Sequence, residues 1–303
     1  MNTAVLEEKV HQTEEILKKY LPAETGFQKT VTEAMNYSFL AGGKRLRPLL
    51  MQETFRMLSG EGRIIEPFMA ALEMIHTYSL IHDDLPCMDN DEYRRGRKTT
   101  HVVYGEGMAV LAGDGLLNLA YETAAGAFEL LAPEDLAGYQ RVAKALAILG
   151  KKAGIYGMVG GQVVDVESEK KDLPISPELL LFIHENKTAA LIEAALMIGA
   201  VLAGAKEETV ARMETCARLV GVAFQIQDDI LDITGTAEEL GKPVGSDEKN
   251  HKQTYVTIFG MEKAKQDVEA FSARAVEQIE ACEQENSGAF LKELILSLIH
   301  RTH

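Results

Sequence analysis

Cysteine, tryptophan and positive charge are scarce in this chain. Of 303 residues three are cysteine (Cys87, Cys216 and Cys282) and none is tryptophan, and aromatics make up only 6%. Three scattered thiols cannot make a disulfide framework or a zinc cluster, so a reducing, cytoplasmic compartment is expected. With so few aromatic rings, the core must rest on Leu, Ala, Ile, Val and Met. Lys and Arg number 31 against 46 Asp and Glu, a formal net charge of −15. Such a body repels a phosphate backbone, so nucleic acid is not an expected partner. Any polyanionic substrate must be held by local basic residues or divalent cations. The longest nearly apolar run, Ala189–Ala205, is interrupted by Glu193. It falls short of the roughly 20 residues that a bilayer requires, so it reads as a buried helix and no membrane insertion is expected. The amphipathic start, MNTAVLEEKVHQTEEILKK, lacks the apolar core of a signal peptide. Strand-like alternation, solenoid repeats and low-complexity tracts are also missing.

Apolar residues at helical spacing dominate what is there. The pattern predicts helices near residues 65–84, 105–131, 136–169, 177–203, 207–234 and 262–300, with one helix opened by Pro48 and an amphipathic helix at the N-terminus. Ser176-Pro177-Glu178 is a helix start: a capping hydroxyl, a proline in the first turn, then an acid at the positive end of the dipole. The expectation is an all-α, single-domain bundle over residues 1–303.

Two acidic strings end apolar helices: His82-Asp83-Asp84-Leu85-Pro86-Cys87-Met88-Asp89 and Gln227-Asp228-Asp229-Ile230-Leu231-Asp232. Carboxylates crowded beside apolar surface repel one another and lose solvation unless a cation offsets both costs. Asp228 and Asp232 share a helix face. Asp83 and Asp89 would not on a continuous helix, but Pro86 disfavours helix at Leu85 and lets the chain loop back. Hard oxygen ligands of this kind suit Mg²⁺, which keeps several waters and bridges carboxylates to substrate phosphates. Two such clusters facing each other read as a metal-bridged diphosphate site. Neither has EF-hand spacing, and no Walker loop is present.

Cations for such a site are at hand in Gly42-Gly43-Lys44-Arg45-Leu46-Arg47-Pro48 and Arg94-Arg95-Gly96-Arg97-Lys98. Guanidinium groups fork onto phosphate oxygens, and glycines let backbone N–H groups approach. His76 lies seven residues before Asp83 on nearly the same face. Gln225 shares a face with Asp228, Lys187-Thr188 opens the long apolar run, and Lys242 follows the second cluster.

With these residues the sequence resembles the trans-isoprenyl diphosphate synthases, or polyprenyl synthetases, and most closely the bacterial short-chain farnesyl type. The resemblance runs from about residue 30 to the end. It rests on GGKRLRP at 42–48, IHTYSLIHDDLPCMDND at 75–91, RRG at 94–96, AGDGLL at 112–117, GQVVD at 161–165, KT at 187–188, FQIQDDILD at 224–232, and GKPVGSD with the later Lys252. It implies three Mg²⁺ ions on Asp83, Asp89 and Asp228, with Asp84, Asp229 and Asp232 in support. It implies that Arg94, Lys187, Lys242 and Lys252 hold an allylic diphosphate. Lys44, Arg47, His76 and Arg95 would hold isopentenyl diphosphate, and Thr188 and Gln225 would flank the allylic carbon. It further implies a homodimer, for which the small residues of 112–124 offer an interface.

Tyr78 and Ser79 lie five and four residues before Asp83, about 6–7.5 Å along a helix axis at 1.5 Å per residue. A tyrosine ring there would stop a growing chain early, and the resemblance pairs an aromatic at this place with a farnesyl product. A geranylgeranyl product, a non-catalytic regulatory subunit and a class I terpene cyclase remain as alternatives. The Lys44/Arg47 loop argues against a cyclase, which needs no isopentenyl diphosphate site.

Overall fold

The computed structural model describes residues 3–171, 176–234, 253–282 and 287–299. Their regular structure is all helical, as expected, apart from one hairpin of two-residue strands. They fall into two compact units, one of residues 2–52 and 61–147 and the other of residues 53–60 and 148–303.

The first unit contains α1 (Thr3–Lys18), α2 (Lys29–Phe39), the start of α3 (Leu46–Met57) and α4 (Glu66–Asp83). The hairpin β1 (Tyr93–Arg94) and β2 (Arg97–Lys98) follows, then α5 (Thr100–Tyr104), α6 (Glu106–Ala125) and most of α7 (Leu136–Ala153). Helix α4 is buried without interruption from Pro67 to Ile75. A helix enclosed on every side must be apolar all round, and only Glu73 breaks that rule there. Helix α6 runs antiparallel to α4. At one end a Cβ on Gly113 would lie 2.0 Å from His82 Nε2, so only glycine leaves room for that ring, which sits 3.1 Å from the Val110 carbonyl. At the other end the Thr123 hydroxyl reaches Met74 Sδ at 3.9 Å. Val102, Val103, Val110 and Leu111 on α5 and α6 are exposed.

The second unit contains α8 (Met158–Lys171), α9 (Pro177–Ile183), a π-helical segment (His184–Ala189), α10 (Ala190–Leu202), α11 (Glu207–Thr234), α12 (Tyr255–Phe259), α13 (Met261–Glu280) and α14 (Ala289–Ile299). Helix α10 is the apolar run of the sequence, and every residue but Met197 is buried. Burying each of its Leu and Ile side chains contributes roughly 1.5–3 kcal/mol. Its one acid, Glu193, is held by Lys152, which also reaches Glu214 at 2.7 Å. Ser176 caps α9, accepting from Leu179 N–H at 3.2 Å. Among the described residues no helix is long and apolar enough to cross a membrane. All three cysteines are free, and burial pushes the Cys216 thiol up to about 12, which leaves it unreactive.

Several expected helices divide. The stretch 136–169 breaks between Ala153 and Met158. A Cβ on Gly157 would lie 2.1 Å from the Lys152 carbonyl, so the chain turns where glycine permits it. The stretch 105–131 ends as a 3₁₀ turn over Gly126–Leu130, 177–203 passes through the π segment, and 262–300 is two helices. The helix expected to open at Pro48 begins at Leu46. The hairpin is too short to leave an alternating pattern in the sequence.

Candidate active site

Each unit carries one set of candidate residues. In the first, α4 stops at Asp83 and the acidic string folds back on itself. Asp89 N–H donates to the Asp83 carbonyl at 2.9 Å, and Asn90, with φ +56°, donates to the Leu85 carbonyl at 3.1 Å. The return of Asp89 toward Asp83, expected from Pro86, is present. Asp83 is half-buried and Asp89 exposed. Asp84 is buried and already engaged: Arg94 Nε donates to it at 2.7 Å and Nη2 at 2.6 Å. Burial pushes the Asp84 carboxyl up, and Arg94 pulls it part of the way back.

The hairpin presents Arg94 and Arg95. Arg94 pairs with Arg97 across it, so Arg95 and Gly96 form the two-residue turn, with φ of +53° and +74°. Both angles are positive, as a type I′ turn demands. Arg95, a residue that rarely adopts this conformation, lays its guanidinium on the Gly42 carbonyl. A Cβ on Gly43 would meet that guanidinium at 2.8 Å, and Gly42 and Gly43 have φ of +85° and +128°. The paired glycines thus clasp Arg95. Arg45, next in the same loop, points inward. It donates to Glu73 at 2.8 Å and to the Phe39 carbonyl at 2.8 Å, and lies 3.3 Å from Glu14. It is a buried anchor for the loop that carries Lys44 and Arg47, a role its place in a basic string does not reveal.

Arg47 has a buried Nε with no acceptor among the described residues. Burial lowers its affinity for a proton, with Arg95 adding repulsion and Glu73 opposing both. His76 is held well below the ordinary imidazole range, first by burial and then by Arg47, Arg95 and Arg94. It is therefore neutral near pH 7. Crowded cations and an orphaned buried donor are costly without an anion, and the arrangement has the chemistry of a diphosphate cradle. Lys44 is exposed beside it. Tyr78 is buried, with its ring edge-on to His82 at 5.7 Å. Burial, then Tyr121 and Asp83, push its hydroxyl up to about 12. Ser79 donates back to the His76 carbonyl at 2.9 Å.

In the second unit, Lys187 and Thr188 lie inside the π segment, where α9 and α10 would otherwise be continuous. Two glycines clamp it. A Cβ on Gly161 of α8 would lie 2.2 Å from Lys187 N, and one on Gly221 of α11 would lie 2.3 Å from Ala189 Cβ. Four residues beyond each glycine, on the same face, stands a polar partner. Asp165 accepts from Lys187 Nζ. Gln225 accepts from the Thr188 hydroxyl at 3.2 Å and donates to Asp229 at 3.3 Å. Asp229 in turn accepts from Tyr255 N–H at 2.7 Å. Asp229 is thus a buried structural acceptor, and the half-buried Asp228 is the more accessible carboxylate. Asp232 is buried. Lys242 and Lys252 lie outside the described residues. Gly161, Asp165 and Gly221 carry no separate expectation from sequence, although GQVVD contains the first two.

The carboxylates supply hard oxygen donors. No group of three or more metal-binding side chains converges among the described residues. Hard carboxylate oxygens of this kind fit an ion such as Mg²⁺, which shares its coordination with substrate phosphates and water.

The sequence model of the family described as "Polyprenyl synthetase" matches residues 28–292. The chain belongs to the polyprenyl synthetase family. It is 47% identical over 250 residues to the heterodimeric geranylgeranyl pyrophosphate synthase large subunit 1, chloroplastic, of Arabidopsis thaliana, covering 82% of this chain but only 66% of that protein. It is 44% identical over 274 residues to a geranylgeranyl diphosphate synthase of Cyanophora paradoxa, covering 90% and 88%. Among solved structures it is similar to an FPP/GFPP synthase from Zymomonas mobilis, with TM-score 0.84, 29% identity and 98% of each chain covered. It is also similar to a geranyltransferase from Legionella pneumophila, with TM-score 0.83, 31% identity, and 100% and 98% covered. The names thus divide between product lengths, so the nearness to farnesyl synthases expected of this polyprenyl synthetase is not a finding of the comparison.

Proposed function

We propose that the chain is a Mg²⁺-dependent trans-prenyltransferase that condenses dimethylallyl or geranyl diphosphate with isopentenyl diphosphate to give (E,E)-farnesyl diphosphate. The observation that carries the reading is the cradle in the first unit: Arg47 with its orphaned Nε, Arg95 clasped by Gly42 and Gly43, and a neutral His76. It would hold isopentenyl diphosphate, with Lys44 at its edge. Arg94 and Lys187, joined by Lys242 and Lys252, would exchange their present carboxylate partners for the allylic diphosphate. Asp83, Asp89 and Asp228 would hold three Mg²⁺ ions, which when bound supply the positive charge that makes the diphosphate a leaving group.

Cleavage of the allylic C–O bond leaves a carbocation, and the Thr188 and Gln225 oxygens would lie against it. The isopentenyl double bond attacks, a C–C bond forms, and a proton is lost. The departing diphosphate would take that proton. Residues 1–303 would act as one catalytic domain in a cytoplasmic enzyme. A second copy meeting the 112–124 stretch of α6 would make a homodimer.

Tyr78 supports the farnesyl reading: its ring is buried five residues before Asp83 on α4, and a growing chain that ran back along that helix would meet it. Geranylgeranyl diphosphate is the second reading, favoured by the names of the relatives. Incubating pure protein with the C5 substrates and Mg²⁺, followed by mass spectrometry of the products, separates the two. No diphosphate release with any allylic substrate would refute both.

A further inference from the structure

We infer that Tyr37 is a positioning residue for isopentenyl diphosphate: from α2, its hydroxyl and ring fix the hairpin in place and so aim Arg95 at the diphosphate. The inference rests on the proposed role of Arg95 in holding that substrate.

The bonding pattern of the hairpin leaves a place for this contact. Arg94 pairs with Arg97 beside the turn, and Thr99 N–H donates to the Glu92 carbonyl at 3.0 Å. Bonded and unbonded pairs alternate along an antiparallel ladder, so Tyr93 and Lys98, between these two, exchange no bonds and the Lys98 carbonyl points away from β1. The Tyr37 hydroxyl donates to that carbonyl at 2.8 Å. One side chain thus does at this edge what a third strand would do. The Arg97 guanidinium lies over the same ring, 4.3 Å from its centre, a cation–π contact. The Tyr104 ring meets Tyr37 edge-on at 5.6 Å, and the neighbouring Ser38 hydroxyl bonds that of Thr100, where α5 begins. Tyr37 therefore grips β2 both by its backbone and by one of its side chains.

Close packing does not do this work. A cavity of about 30 Å³ separates the hairpin from α2 and α4, with Tyr37, Thr77, Arg94, Arg95 and Thr100 in its lining. Two further ties are made by the arginines themselves, Arg94 on Asp84 and Arg95 on the Gly42 carbonyl. An arginine that turns to a phosphate gives up its tie, whereas the Tyr37 contacts remain. A misplaced hairpin should weigh most on isopentenyl diphosphate. On the proposed reading Arg95 shares that substrate with Lys44, Arg47 and His76, while Arg94 shares the allylic diphosphate with Lys187, Lys242, Lys252 and bound Mg²⁺.

The test is steady-state kinetics of the full-length chain carrying Tyr37→Phe, alone and together with Arg95→Gln. Loss of the one hydrogen bond should raise KM for isopentenyl diphosphate about 3–10-fold, and KM for the allylic diphosphate by less. In the Arg95→Gln background the same substitution should change KM for isopentenyl diphosphate by less than about twofold, because a residue that acts through Arg95 then has nothing to aim. Tyr37→Ala, which also removes the ring under Arg97, should raise that KM further than Tyr37→Phe; if it folds poorly, the phenylalanine variant still decides. A Tyr37→Phe enzyme with KM for isopentenyl diphosphate within about twofold of wild type, an equal rise in both KM values, or the same rise with and without Arg95 would overturn the role of Tyr37, the last two by showing a general effect on the fold. Arg95→Gln alone with an unchanged KM for isopentenyl diphosphate would instead overturn the reading on which the inference rests.

Discussion

Gly161→Ala tests how much the placement of Lys187 matters. The added Cβ would sit 2.2 Å from Lys187 N, and ordinary contact begins near 3.4 Å. The π segment would therefore have to retreat by about 1.2 Å at Lys187, against Gly221 packed on its other side. A misplacement of about 1 Å costs on the order of 10²-fold in rate, which is about 2.7 kcal/mol of barrier. Overpacking of this kind destabilises by roughly 1–3 kcal/mol, a loss of about 2–12 °C in Tm at roughly 2–4 °C per kcal/mol. Steady-state kinetics alongside thermal melts should show kcat falling on the order of 100-fold while the protein remains folded at 25 °C. Gly107→Ala, where a Cβ meets nothing within 4 Å, is the control and should keep both rate and Tm. A Gly161→Ala enzyme within threefold of wild-type kcat would refute the claim that close helix approach fixes the lysine.

Other outcomes follow from the same geometry. Glu73→Ala leaves Arg45 buried with only Glu14 and the Phe39 carbonyl, and should cost about 3 kcal/mol, the lower end for breaking a buried pair; urea unfolding reads this, and a loss under about 1 kcal/mol would contradict it. His76 has a folded-state proton affinity far below its unfolded value near 6.5, so the unfolded chain takes up the proton first. Stability should therefore fall as pH drops below about 6.5, and His76→Asn should flatten that slope in melts from pH 7 to 5. Asp83→Asn, Asp89→Asn and Asp228→Asn should each lower kcat by at least tenfold and raise the Mg²⁺ concentration needed for half-maximal rate. EDTA should abolish turnover, with full recovery on adding Mg²⁺.

Much of this was legible in the sequence because it rests on local rules. Pro86 turns the acidic string, Ser176 caps a helix, and the Ala189–Ala205 run is buried. What was not legible depends on partners distant in sequence. Arg45 and Arg47 are two apart in one basic string, yet one is a buried anchor and the other an orphaned donor, and only Glu73 and Phe39 decide which. Asp228 and Asp229 are adjacent, and the N–H of Tyr255 separates their roles. A π segment leaves no periodicity of its own, and the glycines that clamp it lie 26 residues before Lys187 and 32 after Ala189.

On the proposed function, the pairing of Arg94 with Asp84, and of Lys187 with Asp165, would bear on selectivity. Each cation already has a carboxylate neighbour, so an incoming anion gains only the difference between its own attraction and that neighbour's. A phosphomonoester brings little more charge than the groups it must displace. A pyrophosphate ester brings a second phosphoryl unit with further oxygens to share, and so tips an exchange that a single phosphate would leave nearly level.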